Sequence, residues 1–504
     1  MLAFWVLMPL MDMPAVWDSG CFMYIGQNWL NGLVPYSDMW DHKGPMLYIL
    51  NLLGLLIDGR NGVVYLQFFL SAMAFYLSFI VFRIYVQALI ALAYSAIGFF
   101  YLLFLHQTGN QTEQWALFFQ AFSLFVFVNI YSKPEAKSYA SWLLMGVLMA
   151  CVLLIRPNQI AIWVVIVIFE LVITWFNKKP FSQLFLRGLF MLFGLIIPIF
   201  VVVIYFAKNN ALNQMIECFF KFNFIYAGGN HTSILDNIKF SLVTLPFLWV
   251  MIVCIVFNYG LFIYKRNEIK KVDWALLLFT STWLALEVFL SSLAGAYFLH
   301  YYIQWILPIM ASMIVFMRSL KYLNLSPSKY FYTIYIFTGM LFLFIGAKTV
   351  IRHRWQMYGR YLCLHNERSF YKTAEFINQN TTSKDYLLEW GIVDGLNFET
   401  RLKSPSKYFY QYPLDTKGYT NDSIVHTFIN DVKSKEPKFI IDASKFERLP
   451  YLNQHARDSF YEAKPYYKGL LPKSIDSFYA YVDSNYIKTK TIGIYIIYQR
   501  KVKP

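Results

Sequence analysis

The chain has 504 residues, of which 58% are hydrophobic, 20% aromatic and only 14% charged. Soluble domains are roughly 45–50% apolar, so this composition excludes an ordinary soluble protein and indicates a protein that crosses a membrane several times. The net charge of +15 comes from Lys and Arg spread over loops and the C-terminal segment, without a basic recognition helix, so nucleic acid is not expected as a partner. The five cysteines lack C-x-x-C spacing and indicate neither a zinc knuckle nor a disulfide framework.

Apolar runs of about the length that spans a bilayer, roughly 17–25 residues, follow one another through residue 347. We predict eleven spans, at residues 1–17, 62–82, 87–105, 113–131, 139–155, 159–176, 188–206, 240–263, 274–293, 303–317 and 330–347. Residues 1–17 lack a basic segment and a cleavage site, so we interpret them as a span kept in the mature protein. The run 45–57 is shorter and is closed by DGRNG, which predicts a helix at the membrane interface.

The distribution of Lys and Arg predicts the orientation of these spans. Loops after the even-numbered spans are rich in both residues, as in 265–271, whereas the opposite loops hold few. We therefore expect a multi-pass protein of the bacterial inner membrane with a cytoplasmic N-terminus. The first loop and the C-terminal segment would then face outward.

Residues 348–504 are long enough to fold as a domain of their own. Amphipathic segments such as SIVHTFINDVKSK alternate with extended ones such as KFIIDAS and TIGIYIIYQR. This alternation predicts an α/β domain. The chain is thus expected to comprise a transmembrane core, 1–347, with interfacial helices in the first outer loop, 18–61, and an extracytoplasmic α/β domain, 348–504.

The first outer loop begins with a predicted helix. In residues 19–32 apolar side chains recur at helical spacing, and Gly32 stands where a helix would end. Asp18 precedes this helix and is expected to be its N-cap. An Asp at this position stabilises a helix by about 1 kcal/mol. A functional role for Asp18 is the alternative, because several charged and turn-forming residues follow in the same loop.

The sequence WDSGCFMYIGQNWLNGLVPYSDMWDHKGPMLY, residues 17–48, combines an acidic residue with PY.D and KGP elements. In this combination it resembles the first extracytoplasmic loop of the C-type, polyprenyl-phosphate-dependent glycosyltransferases. These enzymes include protein O-mannosyltransferases and bacterial aminoarabinose transferases, and the resemblance is to glycosyltransferase family 39. The matching residues are, in chain order, Asp18, Tyr24, Gly26, Leu30, Gly32, Pro35, Tyr36, Asp38, Lys43, Gly44, Pro45 and Tyr48.

The resemblance extends beyond this loop. Glu113, in HQTGNQTEQW, is similar to a second acidic position of the family, and GAYFLHYYIQWILPIM resembles a later segment that contributes His300 and Tyr301. Ser19 follows Asp18 where some members have an Asp-Glu pair. The resemblance implies a glycosyltransferase C-like core with an outer-facing soluble domain.

The activity implied by the resemblance is transfer of a sugar from a polyprenyl-phosphate donor to an acceptor, with inversion of the anomeric centre. A carboxylate within about 3 Å can accept the proton that the acceptor loses, and Asp18 is the candidate base, with Glu113 as a second catalytic acid. Fixed cations would stabilise the departing phosphate. Lys43 is the first candidate and Arg156 the second, with His300 and Tyr301 beside the donor phosphate.

Each of these residues has a structural alternative. Lys43 is typical of an interfacial side chain, Arg156 of the end of a span and Glu113 of a helix N-terminus. His300 and Tyr301 are typical of an aromatic belt.

Tyr36, Asp38, Asp41 and His42 are expected to form a substrate loop. The last three could instead hold a divalent metal ion, through two carboxylates and an imidazole.

Two other functions remain open. One is a secondary transporter or lipid flippase, although inverted repeats are not evident and charges at mid-span are scarce. The other is an inactive scaffold whose C-terminal domain binds glycans. The expected partners are the lipid-linked sugar donor, membrane lipids and an acceptor that the sequence does not identify.

Overall fold

The computed structural model describes residues 17–502 except for a few short stretches. The residues outside its description are 1–16, 106–108, 133–138, 179, 230–232, 246, 294, 297, 324–325, 392–394, 445–448 and 503–504.

The described chain is mostly helical as far as Gln379, and strands occur only after that residue. The α-helices are α1 Trp17–Leu30, α2 Pro45–Phe82, α3 Ala88–Leu105, α4 Thr112–Ser132, α5 Tyr139–Leu153, α6 Ala161–Phe176, α7 Phe181–Lys208, α8 Leu212–Ile216, α9 Asn223–Gly229, α10 Ile234–Thr244, α11 Phe247–Tyr264, α12 Lys271–Ser292, α13 Ile306–Ser319, α14 Pro327–Gln379, α15 Leu396–Thr400, α16 Tyr412–Asp415, α17 Asp422–Lys435, α18 Gln454–Ala463 and α19 Asp476–Asn485. The strands are β1 Leu387–Trp390, β2 Phe439–Asp442, β3 Tyr486–Ile492 and β4 Tyr495–Arg500. Tighter 3₁₀ turns include Pro157–Gln159 and Leu299–Trp305, and Glu217–Phe222 is a π-helix.

Ten of the eleven predicted spans coincide with helices, and the first, 1–17, lies almost wholly outside the described residues. Among the residues described, six helical segments are long and apolar enough to cross a membrane, or seven if α10 and α11 form one bent span. Helices α5 and α6 are also apolar but shorter. The chain is therefore a polytopic α-helical membrane protein, as its composition predicts.

Two predicted segments differ from the structure. The run 45–57 and the following span together form α2, without a loop between them. The backbone of α2 leaves helical geometry at Asp58 and at Gly59, whose φ is 53°. A residue with a side chain adopts this conformation only with strain, so DGRNG ends the first helical run as predicted. The predicted span 240–263 is two helices, α10 and α11, which meet at 110°. Pro246 lies between them in the sequence, and proline lacks the N–H that a continuous helix needs.

The contacts between residues divide the chain into two compact units. The first comprises Met1–Val64, Tyr205–Gly229 and Met357–Pro504, and the second comprises Tyr65–Ile204 and Asn230–Gln356. The predicted domain boundary at 347/348 falls inside the continuous helix α14, so an independent C-terminal domain stays a prediction.

The first unit contains a four-stranded sheet of order β1-β2-β4-β3. Strands β1 and β2 are parallel, and β4 is antiparallel to both of its neighbours. Apolar side chains from α14 and the strands form the core beneath the sheet, including Phe370, Ile377, Leu387, Phe439 and Ile497. The predicted α/β fold is therefore present. The last predicted strand, TIGIYIIYQR, is instead the turn and second arm of a hairpin, because the chain reverses at Gly493, whose φ is 60°.

The second unit is a bundle of apolar helices. The segment containing α13 is almost wholly buried and contacts α3, α11 and α12. Helices α5 and α7 approach so closely that a Cβ on Gly146 would overlap the carbonyl oxygen of Met191, and a Cβ on Gly194 that of Leu143. Small residues at such positions are typical of helix contacts in membranes.

Candidate active site

The loop between α1 and α2 contains a tight turn. The N–H of Tyr36 donates to the carbonyl of Met39 at 2.8 Å, and the carboxylate of Asp38 accepts the N–H of Val34 at 2.7 Å. Tyr36 has a φ of 68°, which is uncommon for a residue with a side chain. Its hydroxyl donates to the carbonyl of Lys43 at 2.8 Å. The turn therefore places Tyr36 inside the loop, whereas Asp38 is exposed and stabilises the turn.

Asp41, His42 and Lys43 follow this turn and contact one another. Asp41 is only 1% exposed, and its carboxylate accepts hydrogen bonds from the Tyr48 hydroxyl at 2.6 Å and from the backbone N–H of His42 at 2.7 Å. The Nε2 atom of buried His42 contacts Nζ of Lys43. Lys43 remains partly exposed, so the loop presents its ammonium group above a buried acid.

The protonation of Asp41 depends on opposing effects. Burial raises the pKa of Asp41 above its usual value, and the negative charge of Asp18 adds to this effect. The charge of Lys43 and the hydrogen bond from Tyr48 lower the pKa of Asp41. Asp18 and Lys43 therefore act on the same buried carboxyl group with opposite signs.

Asp18 lies in the first turn of α1 and is partly exposed. Its Oδ1 atom accepts a hydrogen bond from the hydroxyl of Tyr410 at 3.3 Å. Burial raises the pKa of Tyr410 well above the usual value, and nearby Tyr412 and Asp18 add to the rise. The phenol thus stays protonated and can donate to Asp18. Helix α1 begins at Trp17, so Asp18 is not the N-cap that the sequence predicts, but an acidic residue in the first turn also stabilises a helix.

Aromatic rings from distant parts of the chain surround this loop. The His42 ring stacks on Phe222, with 5.1 Å between centroids, and on Tyr226 at 5.9 Å. The rings of Tyr410 and Tyr412 are 4.8 Å apart. Sequence reasoning missed these residues, since a high density of Tyr and Phe in a chain does not indicate which rings meet. The π-helix that supplies Phe222 is a local feature frequent at functional sites.

A second group of predicted residues meets in the helical unit. Glu113 is 1% exposed and forms an ion pair with Arg156. The guanidinium of Arg156 also lies over the ring of Tyr301, at 4.4 Å from its centroid. His300 packs edge-on against Tyr301, with 4.8 Å between ring centroids, and stacks on Phe298. The structure thus joins four predicted residues into one charged and aromatic cluster.

Comparison with known proteins identifies the family. A protein family described as "Putative competence-induced protein Ccs4 N-terminal domain" matches residues 3–322, more than half of the chain. The chain belongs to the Ccs4 family. No curated protein matches the sequence.

Two crystal structures have a fold similar to this Ccs4-family chain. ArnT from Cupriavidus metallidurans bound to undecaprenyl phosphate has a TM-score of 0.56 and 12% sequence identity, covering 99% of this chain and 96% of ArnT. The apo state of the same ArnT gives a TM-score of 0.57, with the same identity and coverage. At this identity the likeness shows the fold alone, and the fold is C-type glycosyltransferase-like, as the first-loop resemblance implies.

The predicted site residues of the Ccs4-family chain thus fall into two groups. The first unit brings together Asp18, Tyr36, Asp41, His42 and Lys43, and the second contains the cluster around Arg156. In the parts of the chain that the structure describes, no group of three His, Cys, Asp or Glu residues could hold a metal ion. Asp38 is engaged in its turn and Asp41 is buried with Tyr48, so the structure lends no support to a metal site, the alternative interpretation of this loop.

Proposed function

We propose that this protein is a membrane glycosyltransferase, which transfers a sugar from a polyprenyl-phosphate donor to an acceptor hydroxyl or amine. The observation that carries the proposal is the first-loop arrangement, in which Asp18 accepts the Tyr410 hydroxyl and the partly exposed Lys43 contacts His42 beside the buried Asp41. The C-type glycosyltransferase-like fold supports it. So does the undecaprenyl phosphate bound to ArnT, which is a lipid phosphate of the class that such a donor would release.

In the proposed reaction an acceptor oxygen or nitrogen attacks the anomeric carbon. The bond from that carbon to the phosphate oxygen breaks on the opposite face, so the configuration inverts, and the lipid phosphate leaves with the bonding electrons. Asp18 accepts the proton from the acceptor. Its partly exposed carboxylate is oriented by the Tyr410 hydroxyl, and a general base of this kind contributes about 10²- to 10⁴-fold to a rate.

The departing phosphate gains negative charge during this reaction. A fixed cation that contacts it more strongly in the transition state lowers the barrier, and Lys43 is the first candidate. Arg156 is the second, since Glu113 and Tyr301 hold its guanidinium in place. His300 lies beside Tyr301 and is proposed to contribute a hydrogen bond to the donor phosphate.

The remaining assignments concern the substrate loop and the location. Tyr36, Asp41 and His42 are proposed to shape the loop from within, and Asp38 to stabilise its turn.

We place the protein in a bacterial inner membrane, with the first loop and the α/β region on the outer face. Nucleotide sugars are not normally available on that face, which favours a donor delivered through the lipid.

Donor binding tests the role of Lys43. Protein purified into nanodiscs is incubated with radiolabelled sugars on polyprenyl phosphate, and both binding and sugar release are measured. We expect Lys43→Ala to weaken donor binding at least about tenfold, because charge-assisted hydrogen bonds contribute about 1.5–3 kcal/mol. Lys417→Ala is the matched control, since Lys417 is exposed in the same unit.

The outcome separates the candidate functions. Equal binding by wild type and Lys43→Ala would remove Lys43 from the donor site, and Arg156→Ala in the same assay would then test the second candidate. Sugar lipids that cross liposome membranes without release of sugar would favour the transporter or flippase. Glycan binding without turnover of any donor would favour the scaffold.

A further inference from the structure

Buried glutamines lie next to the cluster around Arg156. Gln120, Gln159 and Gln304 are 1%, 0% and 1% exposed. Within the described residues, Oε1 of Gln120 and both polar side-chain atoms of Gln159 and Gln304 lack a hydrogen-bond partner. Buried polar groups are normally paired with protein or with a bound species, so three such side chains in one unit are a candidate site for a bound species.

Helix geometry places two of these glutamines in the same layer. Gln120 follows Glu113 by seven residues in α4, about two turns of an α-helix. Gln159 follows Arg156 by three residues across a 3₁₀ turn, in which residues three apart lie above one another. Because Glu113 and Arg156 are paired, Gln120 and Gln159 should meet one layer away. They do, since Nε2 of Gln120 donates to the backbone carbonyl of Gln159 at 3.0 Å.

The third glutamine follows the same rule. Gln304 stands three residues after Tyr301 in the 3₁₀ helix Leu299–Trp305, so the two side chains project from the same face. Tyr301 contacts Arg156, and from this spacing we infer that Gln304 lies on the side of Gln159. The helix that carries Gln304 also contacts α4, which carries Gln120.

A buried carboxylate belongs to the same region. Glu287 in α12 is 0% exposed, and its Oε1 atom accepts a hydrogen bond from the indole of Trp283 at 3.1 Å. Its Oε2 atom has no hydrogen-bond partner among the residues that the structure describes. A charge buried in an apolar bundle with one neutral donor is costly unless a counter-charge accompanies it.

Two contacts bring this carboxylate toward the glutamines. Asn158, next to Gln159 in the chain, donates to the carbonyl of Leu290 at 3.0 Å. Trp305, next to Gln304, donates from its indole to the hydroxyl of Ser291 at 3.1 Å. Leu290 and Ser291 lie one helical turn after Glu287, so both glutamine-bearing segments meet α12 within a turn of the carboxylate.

We propose that Glu287, Gln120, Gln159 and Gln304 bind a sodium ion inside the helical unit. Carboxylate and amide oxygens are hard ligands that suit such a cation. A single carboxylate balances one positive charge, so a monovalent ion fits and a divalent ion would leave excess charge in an apolar environment. The site lies one layer from the cluster around Arg156, but its test does not depend on the transferase proposal.

Thermal unfolding of the purified full-length protein in detergent tests the site. NaCl is varied from about 1 to about 100 mM, with choline chloride added to keep the ionic strength constant. A ligand that binds only the folded state raises the unfolding midpoint with its concentration, and we expect a rise of about 2–5 °C. Glu287→Gln should abolish the rise. Glu268→Gln, at an exposed glutamate of the same unit, should keep it.

Two results would overturn the proposal: a wild-type midpoint that does not respond to sodium, or an unchanged response in Glu287→Gln. An equal rise in KCl would overturn the assignment of sodium as the ion. If Glu287→Gln does not fold, binding of radiolabelled sodium to the wild type is measured directly. Saturable binding that unlabelled NaCl displaces supports the site, and its absence contradicts it.

Discussion

Glu389 is a buried carboxylate on β1, an edge strand of the C-terminal sheet. Its Oε1 atom accepts the backbone N–H groups of Asn397 at 2.7 Å and Gly395 at 3.4 Å. Burial raises the pKa of Glu389 from 4.5 to about 7, although these N–H groups act against the rise. The folded protein therefore retains a proton that the unfolded chain releases in mildly acidic solution.

This shift predicts a pH-dependent stability. Protonated Glu389 stabilises the fold fully below about pH 4.5, and the contribution is lost as the pH rises to about 7, for a total of about 3 kcal/mol. Glu389→Gln keeps the acceptor oxygen and should remove this part of the decline between pH 5 and pH 8 in thermal or denaturant unfolding. Glu375→Gln, at an exposed position, should retain the wild-type decline. A Glu389→Gln profile parallel to wild type would contradict the prediction.

At the scale of single residues, the sequence predicted the local arrangement better than the long-range contacts. Asp41, His42 and Lys43 are consecutive, so their proximity required no knowledge of the fold. The hydrogen bond from Tyr410 to Asp18 joins residues 392 positions apart, and no spacing rule predicts it. The pairing of Glu113 with Arg156 was missed for the same reason, although both residues were chosen as candidates.

At the scale of elements, close contact between α5 and α7 depends on glycine. A Cβ at Gly194 would overlap the backbone of Leu143, whereas a Cβ at Gly188 in the same helix would meet nothing within 4 Å. The two glycines thus form a matched pair in one element.

We expect Gly194→Ala to destabilise the protein by about 1–3 kcal/mol, because the helices must separate to admit the methyl group. Gly188→Ala should be neutral, or stabilise by about 0.5–1 kcal/mol, since alanine is the better helix former. Thermal unfolding in detergent measures both. Equal midpoints for the two variants would show that the helix contact is not close in the protein.

Apolar periodicity and length predicted the helices, since each run is long and its ends carry turn-forming residues. The breaks were harder to predict. Gly59 was recognised because it stands in a cluster of turn residues, but Pro246 lies within an apolar run that reads as one span. Gly493 was missed because the β-branched and aromatic residues on both sides favour a single strand.

At the scale of the whole molecule, composition sufficed for a polytopic membrane protein, and the first-loop resemblance implied the fold shared with ArnT. The grouping of segments 1–64, 205–229 and 357–504 into one unit was not predictable from chain order. It depends on contacts such as that of Trp29 with Tyr205, and on the hydrogen bond from the Ser404 N–H to the Tyr24 hydroxyl, which join residues 176 and 380 positions apart.

The measurement that tests the central claim most directly compares sugar transfer by Asp18→Asn and Asp38→Asn. Both changes remove one carboxylate from the first loop, but Asp38 is exposed and stabilises its turn. With a polyprenyl-phosphate sugar and acceptor that the wild type uses, Asp18→Asn should lower the transfer rate about 10²- to 10⁴-fold while donor binding is unchanged. Asparagine keeps an oxygen that can accept the Val34 N–H, so the turn is retained and Asp38→Asn should transfer at close to the wild-type rate. Full transfer by Asp18→Asn would contradict the account and leave Asp18 as a residue that stabilises the start of its helix.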